Sequence, residues 1–211
     1  MKAEYRKIQF WCLAFGASVA ISSAEGRPVD VRAFGARGDG VTDDAVALQA
    51  ALDECPQGST VMLPQGRWLV RLDALRLRSG VHLRGEGKES VIIKGRELEI
   101  VLEAVNASSV AVSGIRFAVE PTTRAEAKGW LAHFRHCRDV RVYDCTFDGT
   151  ATNGLPSQFS LCQFECCNAV KCLDNHFLNA AGSATGVTSA RWEPQWGRGS
   201  EFAPQRHRGL L

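Results

Sequence analysis

The sequence predicts an all-β protein: a right-handed, single-stranded parallel β-helix with a short N-terminal capping helix. Two observations lead there. Residues 101–110, 131–140 and 161–170 read VLEAVNASSV, LAHFRHCRDV and LCQFECCNAV, three copies of one unit at a constant offset of 30 residues. A fixed period of that size marks a fold of stacked repeats. Within each unit, apolar and polar residues alternate over short runs with no helical period between them, the pattern of strands buried on one face. Leucine-rich repeats are shorter and propeller blades longer, which leaves a coil of three short strands per repeat.

The first residues read as a secretory signal. Lys2, Arg6 and Lys7 make a basic start, 8–21 is mostly apolar, and Ser22-Ser23-Ala24 offers small residues for cleavage after Ala24. The apolar run is short for a membrane span, and no later stretch reaches that length. Residues 1–24 are expected to be a signal peptide and the mature chain to be secreted or periplasmic, with no membrane span.

Residues 34–44 run Phe-Gly-Ala-Arg-Gly-Asp-Gly-Val-Thr-Asp-Asp. Gly38 and Gly40 around Asp39 permit a tight, irregular turn. Thr42 is placed to cap a helix, and Asp43 and Asp44 put negative charge on its positive end. Ala45, Leu48, Leu52 and Cys55 share one face, with Ala51 beside them, and Pro56 stops the helix. A stack of coils leaves an apolar end that must be covered, and this helix can lie over it. An acid/base role for Asp43 and Asp44 is the competing reading.

The early coils follow. Val61-Met62-Leu63, Val81-His82-Leu83 and Val91-Ile92-Ile93 are strand-like and separated by turns at Gly66, Gly80, Gly85, Gly87 and Gly95. In the regular coils the first run points Leu102 and Ala104, Ala132 and Phe134, and Cys162 and Phe164 to one side. The second run is Val110-Ala111-Val112, Val140-Arg141-Val142 and Val170-Lys171-Cys172, and the third ends on Phe117, Phe147 and Phe177. Equivalent positions should stack into ladders about 4.8 Å apart.

Length and composition fit one core of moderate size: 211 residues, 45% apolar and 23% charged. A net charge of +2 gives no reason to expect nucleic acid or an anionic membrane as partner. Of 8 cysteines, Cys12 falls in the signal. The odd remainder does not fit a fully paired disulfide framework. Cys137 lies over Cys167, and Cys172 continues the ladder of Val112 and Val142, so free thiols in the core are expected.

The stretch AFGARGDGVTDDAVALQAAL, followed by TVMLPQGRWLV and SGVHLRGEGKESVIIKG, resembles the entry motif and early coils of the pectin-lyase-like superfamily. The resemblance is to the pectate-lyase-like domain of rhamnogalacturonases, epimerases, polygalacturonases and phage tailspikes. It runs from about residue 29 to about residue 181, within a domain expected to cover 25–186. It implies the fold strongly and the reaction weakly, since members hydrolyse, eliminate, epimerise, or only bind and build fibres.

In that superfamily the groove lies on the outward face of each coil's first strand. Here that face carries Glu103 and Val105, then His133 and Arg135, then Gln163 and Glu165. The candidate catalytic residues are His133, Arg135, Glu165 and Glu103: Arg or His to abstract the proton beside a uronate carboxylate, Glu to act as acid or base, and Arg135 also to bind that carboxylate. The competing reading is that these charges only offset one another along the ladder, Arg135 against Glu165 above all. The resemblance also suggests calcium, for which Asp144 and Asp174 at one turn position are weak candidates; no other cofactor is indicated. Asn175 resembles the asparagine that takes the left-handed bend in such enzymes.

The implied partner is an acidic polysaccharide such as pectin, and the implied activity that of a polysaccharide lyase or glycoside hydrolase. The Asn-x-Asp, Asp-Asp, Gly-His-Gly and Arg-x-Lys motifs of the family's hydrolases do not occur after Val101. A non-catalytic glycan-binding or tailspike-like module is the alternative. The repeat should resume at Arg191, but residues 187–211 are rich in Trp, Arg, Pro and Gly without period. They read as an irregular tail, a truncated or frameshifted end in which Gly199-Ser200-Glu201-Phe202 looks like a cloning scar.

Overall fold

A computed structural model describes residues 28–95, 97–120, 128–150, 158–179 and 185–188. The expected signal peptide and all of the expected tail beyond Thr188 lie outside the described residues. Three parallel sheets run along one axis, their strands numbered in chain order. Sheet A stacks β1 (Val29–Asp30), β3 (Thr60–Leu63), β6 (His82–Gly85), β9 (Ser108–Ser113), β12 (Arg138–Tyr143) and β15 (Asn168–Leu173). Sheet B stacks β2 (Asp39–Asp43), β4 (Gly66–Val70), β7 (Ser90–Lys94), β10 (Arg116–Val119), β13 (Thr146–Asp148) and β16 (His176–Leu178). Sheet C stacks β5 (Leu75–Arg76), β8 (Ile100–Val105), β11 (Lys128–Arg135), β14 (Gln158–Glu165) and β17 (Thr185–Thr188). The chain visits the three sheets in turn, so this is the parallel β-helix that the repeat predicts.

The register matches the 30-residue alignment. Val140 pairs with Val110 and Val170 in sheet A. Phe147 pairs with Phe117 and Phe177 in sheet B, with ring centroids 4.9 and 5.2 Å apart and the rings nearly parallel. Phe134 stacks on Phe164 at 5.2 Å. All are buried. Each such ring removes a large apolar surface from water and gains a stacking contact besides. The seven described cysteines are free thiols, six of them buried in the core and Cys166 exposed.

Tight corners separate the strands, and they too recur at the same offset. Asn106, His136 and Cys166 have φ between 50° and 54°, Ser109, Asp139 and Ala169 between 52° and 56°, and Asp144 and Asp174 both 53°. Left-handed backbone at residues other than glycine costs about 1 kcal/mol or more each, which the ladders on either side must outweigh. Gly114 opens the last of these columns with φ 62°, and a Cβ there would meet the Gly85 carbonyl at 2.7 Å. The bend falls on Asp174, not on Asn175 as the resemblance suggested. Asn175 is fully buried; its Oδ1 accepts from the Cys145 N–H and its Nδ2 donates to the Val142 carbonyl, both at 2.9 Å. Its amide satisfies backbone groups of the preceding coil that an apolar side chain would leave unpaired.

At the N-terminal end, α1 spans Ala45–Glu54 and buries Ala45, Leu48, Ala51 and Leu52 over the first coils. Thr42 does not begin it: Thr42 lies within β2 and turns its N–H and hydroxyl to the Asp39 carboxylate. Two N–H donors, from Thr42 and Val41, hold the Asp39 carboxyl down at about 2. Asp43 Oδ1 accepts from the Ala45 N–H at 3.1 Å, and Asp44, at the N-cap position, turns its carboxylate away to Arg37 and Gly38. Gly38 has φ +64° and sits against Trp68, whose ring a Cβ would meet at 2.8 Å. At the other end of α1 the Arg78 guanidinium donates to the Leu52, Asp53 and Cys55 carbonyls, covering acceptors that a helix C-terminus leaves open.

Among the described residues no helix is long and apolar enough to cross a membrane.

Candidate functional site

Alternation along β8, β11 and β14 sends Leu102, Ala104, Ala132, Phe134, Cys162 and Phe164 inward. The intervening residues form two outward columns. Glu103 pairs with His133 and His133 with Gln163; Val105 pairs with Arg135 and Arg135 with Glu165. β5 adds Arg76, the partner of Glu103 one coil earlier. All four candidate residues therefore stand on one face of sheet C, on three successive coils.

Their pairing differs from the expected Arg135–Glu165 bridge. Glu103 Oε1 lies 3.0 Å from Arg76 Nε, and its Oε2 lies 3.6 Å from Arg135 Nη2. Glu165 Oε2 instead lies 3.3 Å from His133 Nε2. The reason is burial. The Glu103 side chain is only 14% exposed and Glu165 42%, so the more desolvated carboxylate draws both cations. The His133–Glu165 approach lacks hydrogen-bond alignment, and both His133 ring nitrogens are buried without a hydrogen-bond partner. Trp130, which sequence reasoning missed, covers His133 with ring centroids 4.7 Å apart. It aligns with Ile100 and Ser160 at the head of the repeat, where an aromatic residue stands out in the column.

Burial, and then the charge of Arg135, push the His133 pKa below its ordinary value; Glu165 pulls the other way without winning. His133 is therefore a neutral imidazole near neutral pH, able to take a proton. Arg135 is 41% exposed and Arg76 62%, so each can still reach a ligand carboxylate.

Asp144 and Asp174 do follow one another at a turn, as aligned, and serve as its left-handed residues. Among the described residues no three or more His, Cys, Asp or Glu side chains converge on a point where a metal ion could sit. Two carboxylates on adjacent bends offer too few oxygens for calcium.

A profile of the family described as rhamnogalacturonase A/epimerase, pectate lyase-like, matches residues 28–190. The chain belongs to this family. Among curated relatives, a mannuronan C5-epimerase, AlgE6 of Azotobacter vinelandii, is 44% identical over 73 residues, 31% of this chain and 8% of the relative. The preneck appendage protein of Bacillus phage PZA is 28% identical over 141 residues, 57% of this chain and 16% of the relative. The chain thus spans a small fraction of the length of the curated relatives it matches. A crystal structure of a candidate glycosyl hydrolase from Parabacteroides merdae superposes with a TM-score of 0.60 at 16% identity, over 79% of this chain and 94% of the other. PfbA, a surface adhesin of Streptococcus pneumoniae, gives 0.55 at 17% identity, over 79% and 39%. At such identities these two structures share the fold with this chain, and a fold does not by itself assign a function.

Proposed function

We propose that the chain is a secreted protein that takes an acidic polysaccharide across the outward face of sheet C and removes the proton beside a uronate carboxylate. The observation that carries this reading is the neutral His133 under Trp130, 3.3 Å from the partly exposed Glu165 of the next coil and on the same strand as Arg135, which pairs with Glu103. Arg135 holds the sugar carboxylate, which stabilises the negative charge that develops when the neighbouring carbon loses its proton. Glu165 accepts that proton at the surface. His133 stands behind it as a second acceptor, and the imidazolium so formed lies against the Trp130 ring, where a cation is favoured. From the resulting carbanion, elimination of the glycosidic oxygen and return of a proton to the opposite face are both open. Hydrolysis is less well served, because it needs two carboxyl groups in distinct roles and the Glu103 carboxylate is already engaged by Arg76 and Arg135.

The similarity to a protein named for epimerising mannuronan, a polyuronate, supports the substrate class. A non-catalytic glycan-binding role has its own support: the pairing of Glu103 with both arginines, and a fold shared with a surface adhesin.

Polymannuronate and polygalacturonate, each with its carboxyl-reduced form as control, test the proposal. Unsaturated chain ends or inverted C5 centres are expected from the acidic polymers alone. Glu165→Gln should lower the rate by about 10²–10⁴-fold and Arg135→Ala should weaken binding. New reducing ends without unsaturation would assign hydrolysis instead. Binding of the acidic polymers with no product would assign the non-catalytic role.

A further inference from the structure

A second outward face, on sheet A, carries a polar depression that the reaction proposed for sheet C does not use. Its volume is about 1030 Å³, and Ser59, Met62, His82, Arg84, Arg141 and Tyr143 are among the residues lining it. The register explains why they meet. Met62 pairs with Arg84, Arg84 with Ser113, and Ser113 with Tyr143, while His82 pairs with Ala111 and Ala111 with Arg141. Two outward columns thus run side by side along the axis. His82 Nε2 lies 2.8 Å from Ser113 Oγ and 3.4 Å from Tyr143 Oη. The three side chains form one polar array across three coils.

Three features of this depression point to a ligand. Arg84 is exposed, and among the described residues it has no carboxylate within 4.0 Å, whereas Arg141 is engaged by both oxygens of Asp139. The depression therefore holds an uncompensated guanidinium, which favours an anion with two coplanar oxygens. Ser59 is 2% exposed and its hydroxyl has no hydrogen-bond partner. A buried polar atom left unpaired beside a cavity is satisfied once a hydroxyl-bearing ligand enters. Tyr143 is 38% exposed, so its ring offers an apolar face next to these polar groups. A sugar presents an apolar C–H face and a rim of hydroxyls, and a sugar acid adds the carboxylate. The coil spacing of about 4.8 Å is also close to the length of one pyranose unit in an extended chain.

We infer that the sheet A depression is a second glycan-binding site, which seats a uronate unit with its carboxylate on Arg84, its ring over Tyr143 and its hydroxyls toward Ser59 and His82. It takes its choice of sugar from the function proposed for sheet C but needs no chemistry there. A polymer held on this face would keep the protein on its substrate between reaction events.

A titration with trigalacturonate, followed by the ring proton resonances of His82, Tyr143, Trp130 and His133 in the full chain, tests the two faces separately. The His82 and Tyr143 signals should shift on saturation, and should do so equally in Arg135→Ala. In Arg84→Gln, an exposed strand position whose change leaves the ladder intact, the midpoint should rise about tenfold or more. The Trp130 and His133 signals report the sheet C face, so failure there leaves the sheet A result standing. The inference is overturned if His82 and Tyr143 do not respond to trigalacturonate. It is also overturned if the carboxyl-reduced trimer shifts them equally, or if Arg84→Gln binds as the parent does.

Discussion

Asp44 gathers two backbone N–H groups on one carboxylate, those of Arg37 at 2.7 Å and Gly38 at 3.0 Å, where it is only 1% exposed. Asp44→Ala would leave both part-buried donors without this acceptor, a loss of about 1–3 kcal/mol. Each kcal/mol lowers the melting temperature of a chain this size by about 2–4 °C, so a thermal melt reads the effect directly. A melt unchanged in Asp44→Ala would show that the entry turn is held otherwise. Two histidines, His133 and His82, make a pH prediction. Burial is the first cause that depresses both His133 and His82, joined by Arg135 for the one and Arg84 for the other. A group whose folded pKa is depressed is more readily protonated when unfolded. Its contribution is whole above the unfolded value of about 6.5 and is lost as pH falls through the folded value. The melting temperature should therefore fall below about pH 6.5, and His133→Gln should flatten part of that slope. Residue type alone did not reveal these roles. The Asp43–Asp44 pair was legible as a helix-end feature, but not that Asp44 serves the turn before it, because that depends on where the chain folds back.

The ladders were the most legible elements, because a side chain that stacks on its own equivalent leaves its signature at a fixed offset. Phe147 lies between Phe117 and Phe177, and Phe147→Ala should cost about 3–5 kcal/mol by opening a cavity in the middle of the stack. A smaller loss, measured by denaturant unfolding, would mean that the neighbouring rings close the gap. Leu48 in α1 is buried to 1% exposure. Leu48→Asp should unfold the N-terminal coils, since it puts an unpaired charge into the apolar end of the stack; a parent-like far-ultraviolet signal and melt would contradict the cap. Elsewhere the period fails as a guide. Val61 pairs with Leu83 and Trp68 with Ile92, offsets well below 30, because short glycine turns replace longer connections in the early coils. The last coil departs likewise. Thr185, not Trp192 as an offset of 30 would have it, pairs with Cys162, and β17 carries Val187 and Thr188 past the point where an irregular tail was expected. Thr185-Gly186-Val187-Thr188 shares too little with its counterparts in β11 and β14 for alignment to find it.

The molecule as a whole is a stack whose outward columns are continuous surfaces, so residues 30 apart in the sequence stand beside one another on one face. That Glu103, His133, Arg135 and Glu165 share a face was legible from alternation alone. Their diagonal pairing was not, because it depends on how deeply each side chain is buried. Trp130 and Arg76 were missed because they lie at the edges of the repeat and in an irregular coil. If sheet C abstracts the proton beside a uronate carboxylate, that proton must pass through the protein and exchange with solvent. Polymannuronate and polygalacturonate incubated with the full chain in deuterium oxide, then digested and examined by mass spectrometry and NMR, report this step whichever product follows. Deuterium at C5, or unsaturated ends formed in its place, is the expected result, abolished by Glu165→Gln. Recovery of both polymers without C5 deuterium and without unsaturation would contradict the chemistry assigned to this face.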